Sequence, residues 1–246
     1  MSTQALNRTD TTSGQGSIPT FRSPSRGASI RSLIHPSTRE ALLRRWGKGI
    51  GTDHLTVAAS MLAKQVLSLL LADTLYGVTR KNQAPLFTPD SLQILFHGGW
   101  NLSIISEHPQ VSSFRDGDRE AWRAEALRRL FQENITPLVT SLSTYIPSPI
   151  LWESARCYID YYYEKWREET SDPAEKEQII SDFRFLTEEE NDLIAGCPPN
   201  PLAKKPKALT DEGEGLTRRT CCLYHRLPGA KPCANCPTGR RGSCTV

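Results

Sequence analysis

The chain has 246 residues, 38% hydrophobic and 23% charged, with a formal net charge of +3; this is an ordinary globular composition, long enough for one substantial core plus an appendage. No apolar run reaches the roughly 18 residues that a membrane span requires, because the strongest, Val66–Tyr76, is short and contains Asp73. The N-terminal MSTQALNRTDTTSGQGS is polar throughout and lacks a secretory apolar core, so the expected compartment is the cytoplasm, where thiols stay reduced and clustered cysteines more often bind metal than form disulfides.

Residues 1–36 carry Gly, Ser, Thr and Pro with almost no apolar periodicity and read as a disordered tail. Order is expected from Ser37-Thr38-Arg39-Glu40, a capping box opening the helix EALLRRW. The glycine-rich GKGIG at 47–51 follows a helix and lacks the Gly-Lys-Ser/Thr of a phosphate loop, so it reads as a hinge between helices. A second helix is expected from about Asp53 to Tyr76, stopped by Gly77. LQILF (92–96) and NLSII (101–105), separated by His97-Gly98-Gly99-Trp100, predict a β-hairpin.

Helical patterning then resumes. Asp118 caps REAWRAEALRRLFQEN, PLVTSLSTYI follows, and Ser148-Pro149 opens ILWESARCYIDYYYEKWREE with serine as the cap. Tyr161-Tyr162-Tyr163 must face different directions on a helix, which predicts core and rim positions rather than a stacking platform. Asp172-Pro173 starts another helix, and Thr187-Glu188-Glu189-Glu190 reads as a capping box for a helix closed by Gly196. Residues 197–215 hold four prolines and no apolar face and read as a linker. The expected architecture is α+β: a mostly helical body (37–196) with a small antiparallel hairpin, then the linker, then a cysteine-bound segment (216–246). That last segment is too short for a core of its own and must be stapled or docked.

The chemistry concentrates there. Four of seven cysteines fall at Cys221, Cys222, Cys233 and Cys236, a C-C-x10-C-x2-C spacing. The C-x2-C half fits zinc, iron–sulfur and redox disulfides alike. The adjacent pair discriminates, because neighbouring side chains tend to point apart and reach one compact ion awkwardly, whereas a two-iron cluster spreads its ligand positions more widely. From Gly215 onward there are six basic residues (Arg218, Arg219, Arg226, Lys231, Arg240, Arg241) and no acidic one. Such cations offset the negative charge of a thiolate-bound cluster and attract an anionic substrate or an acidic electron carrier. A structural zinc clip and an iron–sulfur regulator whose basic tail touches nucleic acid stay open on these residues alone. No nucleic-acid motif accompanies the charge, however, and no nucleic-acid partner is expected.

The stretch RRTCCLYHRLPGAKPCANCP (218–237) resembles the C-terminal signature of bacterial ferric-siderophore reductases of the FhuF type. The likeness covers the cysteine spacing, the preceding arginine pair, Cys-Cys-Leu-Tyr, the Pro-Gly of the loop and the closing Cys-Pro, and extends more weakly over about residues 50–237. The resemblance implies that Cys221, Cys222, Cys233 and Cys236 hold a [2Fe–2S] cluster. It implies one-electron reduction of a ferric siderophore, commonly a hydroxamate, in the cytoplasm, with at most peripheral contact with the inner membrane. No nucleotide or flavin motif occurs, so an external donor such as a ferredoxin or a flavodoxin-type carrier is expected. Arg218, Arg219, Arg226 and Lys231 are candidate contacts to substrate or donor. After Leu151-Trp152 the family often has Gly-Asn, where this chain has Glu153-Ser154. Cys157 sits on an apolar helical face and reads as core, Cys197 and Cys244 match nothing in the signature, and His225 reads as a neighbour of the cluster rather than a ligand.

Overall fold

The computed structural model describes residues 27–188, 193–194, 199–203, 207–208, 216–233 and 236–237. Seven α-helices, α1 (Ile30–Ile34), α2 (Pro36–Ile50), α3 (Leu55–Lys81), α4 (Arg119–Arg129), α5 (Thr136–Leu142), α6 (Ser148–Glu169) and α7 (Pro173–Thr187), form the body among the described residues. A π-helical turn, Leu130–Ile135, joins α4 to α5. The strands are short: β1 (Gly27–Ser29), β2 (Gln83–Pro85), β3 (Leu92–Gly98), β4 (Asn101–Ser106), β5 (Val111–Ser113), β6 (Lys207–Ala208) and β7 (Leu216–Thr217). They form three antiparallel sheets, β1-β3-β4, β2-β5 and β6-β7. The α+β class holds, and the hairpin stands where the sequence places it, as β3 and β4.

The core is organised around α3. Its stretch TVAASMLAKQVLSLLLADTLYGVT is apolar on nearly every face, and a helix of that kind must be surrounded. By length and composition α3 could cross a membrane; here it is wrapped by α2, α6, α7 and the hairpin and buried along most of its length. Val57, Met61, Leu62, Val66, Leu67, Leu71 and Leu75 are fully excluded from solvent.

α3 runs beyond the stop expected at Gly77, to Lys81, with Asn82 as its left-handed cap (φ 50°). Gly77 serves close approach instead: a Cβ there would run into the carbonyl oxygen of Gln83 at the start of β2. The hinge expected at 47–51 is likewise the end of α2. Gly47 lets the Thr52 carbonyl return to where a Cβ would lie 2.6 Å from it, and Gly51 (φ 81°) caps the helix.

The described chain is ordered earlier than the capping box at Ser37 implies. β1 pairs with β3 through Gly27↔Leu95, and Ile30 and Leu33 of α1 are fully buried. Three-residue strands and five-residue helices carry too little periodicity to read from sequence; packing against the hairpin and α5 supplies the order. Residues 1–26 of the expected tail lie outside the described residues. α2 begins at Pro36, with His35 Nδ1 accepting from the Ser37 N–H, and Glu40 pairs with Arg44 instead of capping.

Further along, Pro147 rather than Ser148 takes the N-cap position of α6. Asp118 and Asp172 cap α4 and α7 through their carboxylates as expected. Thr187 closes α7 and donates back to the Phe183 carbonyl; the helix expected after it falls largely on 189–192 and 195–198, outside the described residues. Part of the expected linker is core: Asn200 and Leu202 are buried, Asn200 donates to the carbonyls of Leu186 and Glu188, and Arg156 donates to that of Leu202. Short proline-rich segments lack periodicity whether they are free or clamped.

The three tyrosines diverge as the helical period demands. Tyr163 is buried and shares a hydrogen bond with Thr79 Oγ1 (2.9 Å), Tyr162 meets Ser68 (2.9 Å), and Tyr161 faces solvent.

Candidate metal centre

The cysteine segment lies against the N-terminal half of α3 and the first turns of α6. Four body side chains receive it. On α6, Glu153 accepts from the backbone N–H groups of Arg219 (2.5 Å) and Thr220 (2.8 Å) and from the Thr220 hydroxyl. Ser154 Oγ accepts from the Arg218 guanidinium at 2.9 Å. On α3, Ser60 Oγ donates to the Cys222 carbonyl at 2.7 Å, and one turn later Lys64 Nζ lies 3.8 Å from the Cys222 sulfur. Leu227 is buried beneath the loop, and Pro228 packs where Gly51 has no side chain. The expectation that this segment must dock is met.

Between the docking points the chain turns so that its sulfurs converge. Leu223 takes the left-handed conformation (φ 64°), unusual for a bulky residue, and the following 3₁₀ turn is Tyr224–Arg226. This kink points successive N–H groups at sulfur: Leu223 N–H toward Cys221 Sγ (3.4 Å) and Tyr224 N–H toward Cys222 Sγ. Consecutive N–H groups around a left-handed residue form an anion-binding hollow. Gly229 (φ 70°) carries the loop onward, and the Cys236 N–H donates to the Cys233 carbonyl (2.9 Å), closing the C-x2-C turn.

The adjacent cysteines part company. Cys221 Sγ lies 3.8 Å from Cys236 Sγ, whereas Cys222 shares a thiol hydrogen bond with Cys233. None of the described cysteines is in a disulfide. Two separate sulfur pairs, served by N–H donors and nearby cations, are the donor set that a two-iron cluster requires, and the four cysteines are positioned to bind one. Cys222 and Cys236 are buried while Cys221 and Cys233 are half-exposed, so one edge of the site opens to solvent. His225 Nδ1 stands 3.5 Å from Cys221 Sγ, and the ligand atoms of Cys221, His225 and Cys236 lie within 4.8 Å of one another.

Electrostatics favour thiolate at one sulfur in particular. Cys222 is held well below the ordinary thiol range, first by the Cys233 thiol that donates to it, and further by Lys64, Arg218 and the Tyr224 N–H, against the opposing effect of burial. Cys233, the donor in that pair, is pushed far up, as is expected of two thiols sharing one proton. Arg218 stays charged: burial works against it, but Cys157, Cys222, Glu153 and Cys233 together outweigh burial and hold it above its ordinary value. Burial raises the Cys157 thiol, but Cys157 is only partly buried and lies at the margin of the core rather than in it.

Of the four basic residues expected to face substrate or donor, Arg218 does not. It is 7% exposed and points inward to Ser154 and Glu153. An arginine preceding a cluster reads the same in sequence whether it faces out or in; only the partner on α6 decides. Arg219, Arg226 and Lys231 are exposed, while Arg240 and Arg241, like Cys197 and Cys244, lie outside the described residues.

Sequence reading missed Ser60, Lys64, Glu153 and Ser154. Lys64 carried a signal, being the lone charged residue in the stretch from Leu55 to Ala72. Glu153-Ser154, where the chain departs from the family pattern, turns out to be the α6 clamp. An aromatic series also reaches the site: Trp46 packs on Trp100 (6.1 Å), and Trp100 on Tyr224 (5.8 Å), whose other neighbour is Lys64 Nζ at 5.7 Å.

Residues 218–237 match the family model described as the FhuF 2Fe-2S C-terminal domain. No curated protein matches the chain.

Proposed function

We propose, taking this FhuF-type [2Fe–2S] segment as the premise, that the protein is a ferric-siderophore reductase. It passes one electron to iron(III) chelated by a siderophore of the hydroxamate class and so frees iron(II) in the cytoplasm. The observation that carries the reading is the family match falling on a segment whose four cysteines form two sulfur pairs with a solvent-facing edge. Cys221, Cys222, Cys233 and Cys236 are the proposed ligands, and the cluster they hold supplies a reversible one-electron store.

The protein's own part is placement and charge. Glu153, Ser154 and Ser60 fix the segment against rigid helices, so the sulfurs keep one geometry through oxidation and reduction. Cys221 and Cys233 are only partly buried, so a cluster held by the four cysteines would have one side open to a chelate. Arg219, Arg226 and Lys231 are exposed on the cysteine segment and would attract an acidic electron carrier, the iron(III) core of a hydroxamate chelate being neutral. Iron(II) is held far less tightly than iron(III) by such chelates, so ligand exchange follows the electron and pulls the reaction forward. The electron comes from a separate one-electron carrier of the ferredoxin or flavodoxin class.

Replacing one ligand tests the reading. The wild-type protein is expected to contain two irons and two sulfides per chain and, once reduced, to be oxidised in a single turnover by a ferric hydroxamate. Cys233→Ser is expected to abolish that oxidation. One zinc and no iron in the wild type, or undiminished turnover in Cys233→Ser, would overturn it.

A further inference from the structure

Lys64 stands apart from everything around it. From Leu55 to Ala72, α3 carries no other charged side chain, because the helix is the core of the body. A lysine there loses part of its hydration unless its ammonium finds a partner. It finds one 158 positions away in sequence: Nζ lies 3.8 Å from the Cys222 sulfur and 5.7 Å from the centre of the Tyr224 ring. Ser60, four residues earlier on the same face of α3, holds the Cys222 carbonyl at 2.7 Å. The body thus grips one cysteine of the four through its carbonyl and its sulfur. That cysteine is also the most buried, at 1% exposure.

We infer that Lys64 is a positioning residue for the electron-transfer site: from the body helix it anchors the Cys222 sulfur, and by its charge it makes the cluster easier to reduce. Adding one electron makes the thiolate-bound cluster more negative while no bond forms or breaks. A fixed cation beside a ligand sulfur therefore favours the reduced form, and more so where water is scarce. Arg218 supports the same side of the site but shares its charge with Glu153 at 3.7 Å, and Lys64 acts on Cys222 more strongly than Arg218 does. The exposed arginines Arg219 and Arg226 are screened by salt; Lys64 is partly buried and screened less. This inference rests on the [2Fe–2S] site alone and not on the siderophore, so its test needs no siderophore and can fail independently of the reductase reading.

The test is an equilibrium redox titration of the full chain carrying its cluster, with dithionite as the one-electron reductant, for Lys64→Met, Lys64→Gln, Lys64→Arg and Ser60→Ala. Lys64→Met and Lys64→Gln are expected to lower the equilibrium constant for reduction at least tenfold, equivalent to 59 mV for a one-electron couple. Lys64→Arg, which keeps the charge, is expected to stay within threefold of wild type. Ser60→Ala, which loosens the anchor but leaves the cation, is expected to shift the constant by less than the two uncharged Lys64 variants do. Iron and sulfide content and the visible spectrum show that each variant is loaded. The inference is overturned if Lys64→Met and Lys64→Gln both titrate within threefold of wild type, or if Ser60→Ala shifts the constant as far as they do. It is equally overturned if neither uncharged variant holds a cluster, since Lys64 would then serve assembly only.

Discussion

Glu153, in the second turn of α6, accepts the backbone N–H and the hydroxyl of Thr220, the residue immediately before Cys221. The same carboxylate takes the Arg219 N–H and lies 3.7 Å from the Arg218 guanidinium. One largely buried side chain thus meets three consecutive residues of the cysteine segment and sets where the first sulfur enters the site. Its neighbour Ser154 holds the other end of Arg218.

Removing that carboxylate should free the segment while leaving the body folded. Glu153→Ala leaves the Arg218 charge buried without its partner, a change worth about 3–5 kcal/mol, here expressed as undocking of the segment. Iron loss to a strong chelator is expected to be at least tenfold faster than in wild type, with helical circular dichroism unchanged. Glu153→Asp, a shorter carboxylate, should fall between the two.

The metal-free protein should show a pH dependence centred on Cys222. In the folded state the Cys233 thiol that donates to it, with Lys64 and Arg218, holds its pKa below the ordinary thiol value of about 8.5. The folded state therefore binds fewer protons at this site than the unfolded chain, and stability rises with pH. The contribution is complete above the unfolded value and is lost as pH falls through the lowered folded-state value. Cys233, shifted the opposite way by the same shared proton, contributes below the unfolded value and loses that contribution only at higher pH. Urea unfolding of the metal-free chain at pH 5, 6.5 and 8 is expected to show wild type gaining on Cys222→Ser by up to about 1.4 kcal/mol per pH unit. A gap that does not change with pH would contradict the assignment.

The body has its own buried charge centre. Asp182 on α7, with no solvent exposure, takes both Arg119 nitrogens (2.9 and 2.8 Å) and Arg123 (2.8 Å) from α4. Asp182→Ala should destabilise the fold by about 3–5 kcal/mol, because two guanidinium groups lose their counter-ion. At a temperature where the variant stays folded, its visible spectrum should match wild type. Thermal unfolding followed by circular dichroism, together with that spectrum, checks both halves.

Gly77→Ala provides a backbone test. The added methyl would meet the Gln83 carbonyl, which is main chain and cannot swing aside, so α3 and β2 must separate. A loss of about 1–3 kcal/mol is expected, against the small gain an alanine normally brings to a helix interior.

Long periodic elements could be read from the residues, and so could the cysteine constellation. α3, α6, α7 and the hairpin follow from apolar spacing, caps and the Gly-Gly turn, and the parting of Cys221 from Cys222 follows from the geometry of adjacent side chains. What escaped was set by tertiary contact. Gly77 reads as a stop when seen alone and as a close-approach point once Gln83 folds back on it. Arg218 reads as a surface cation until Ser154 and Glu153 stand opposite it. Asn200 and Leu202 sit in a proline-rich stretch with no period, yet Arg156 and the end of α7 draw them inside. Lys64 needed a partner 158 residues away before its charge had a purpose.

The central claim is best tested by stopped-flow mixing of dithionite-reduced, desalted protein with a ferric hydroxamate siderophore in the presence of a ferrous-specific chelator. The gallium(III) complex of the same siderophore serves as the irreducible control. The account predicts one iron(II) trapped per cluster reoxidised, saturable in siderophore, with no reoxidation by the gallium complex. A reduced cluster that persists in the presence of the ferric chelate, or reoxidation that yields no iron(II), would contradict it.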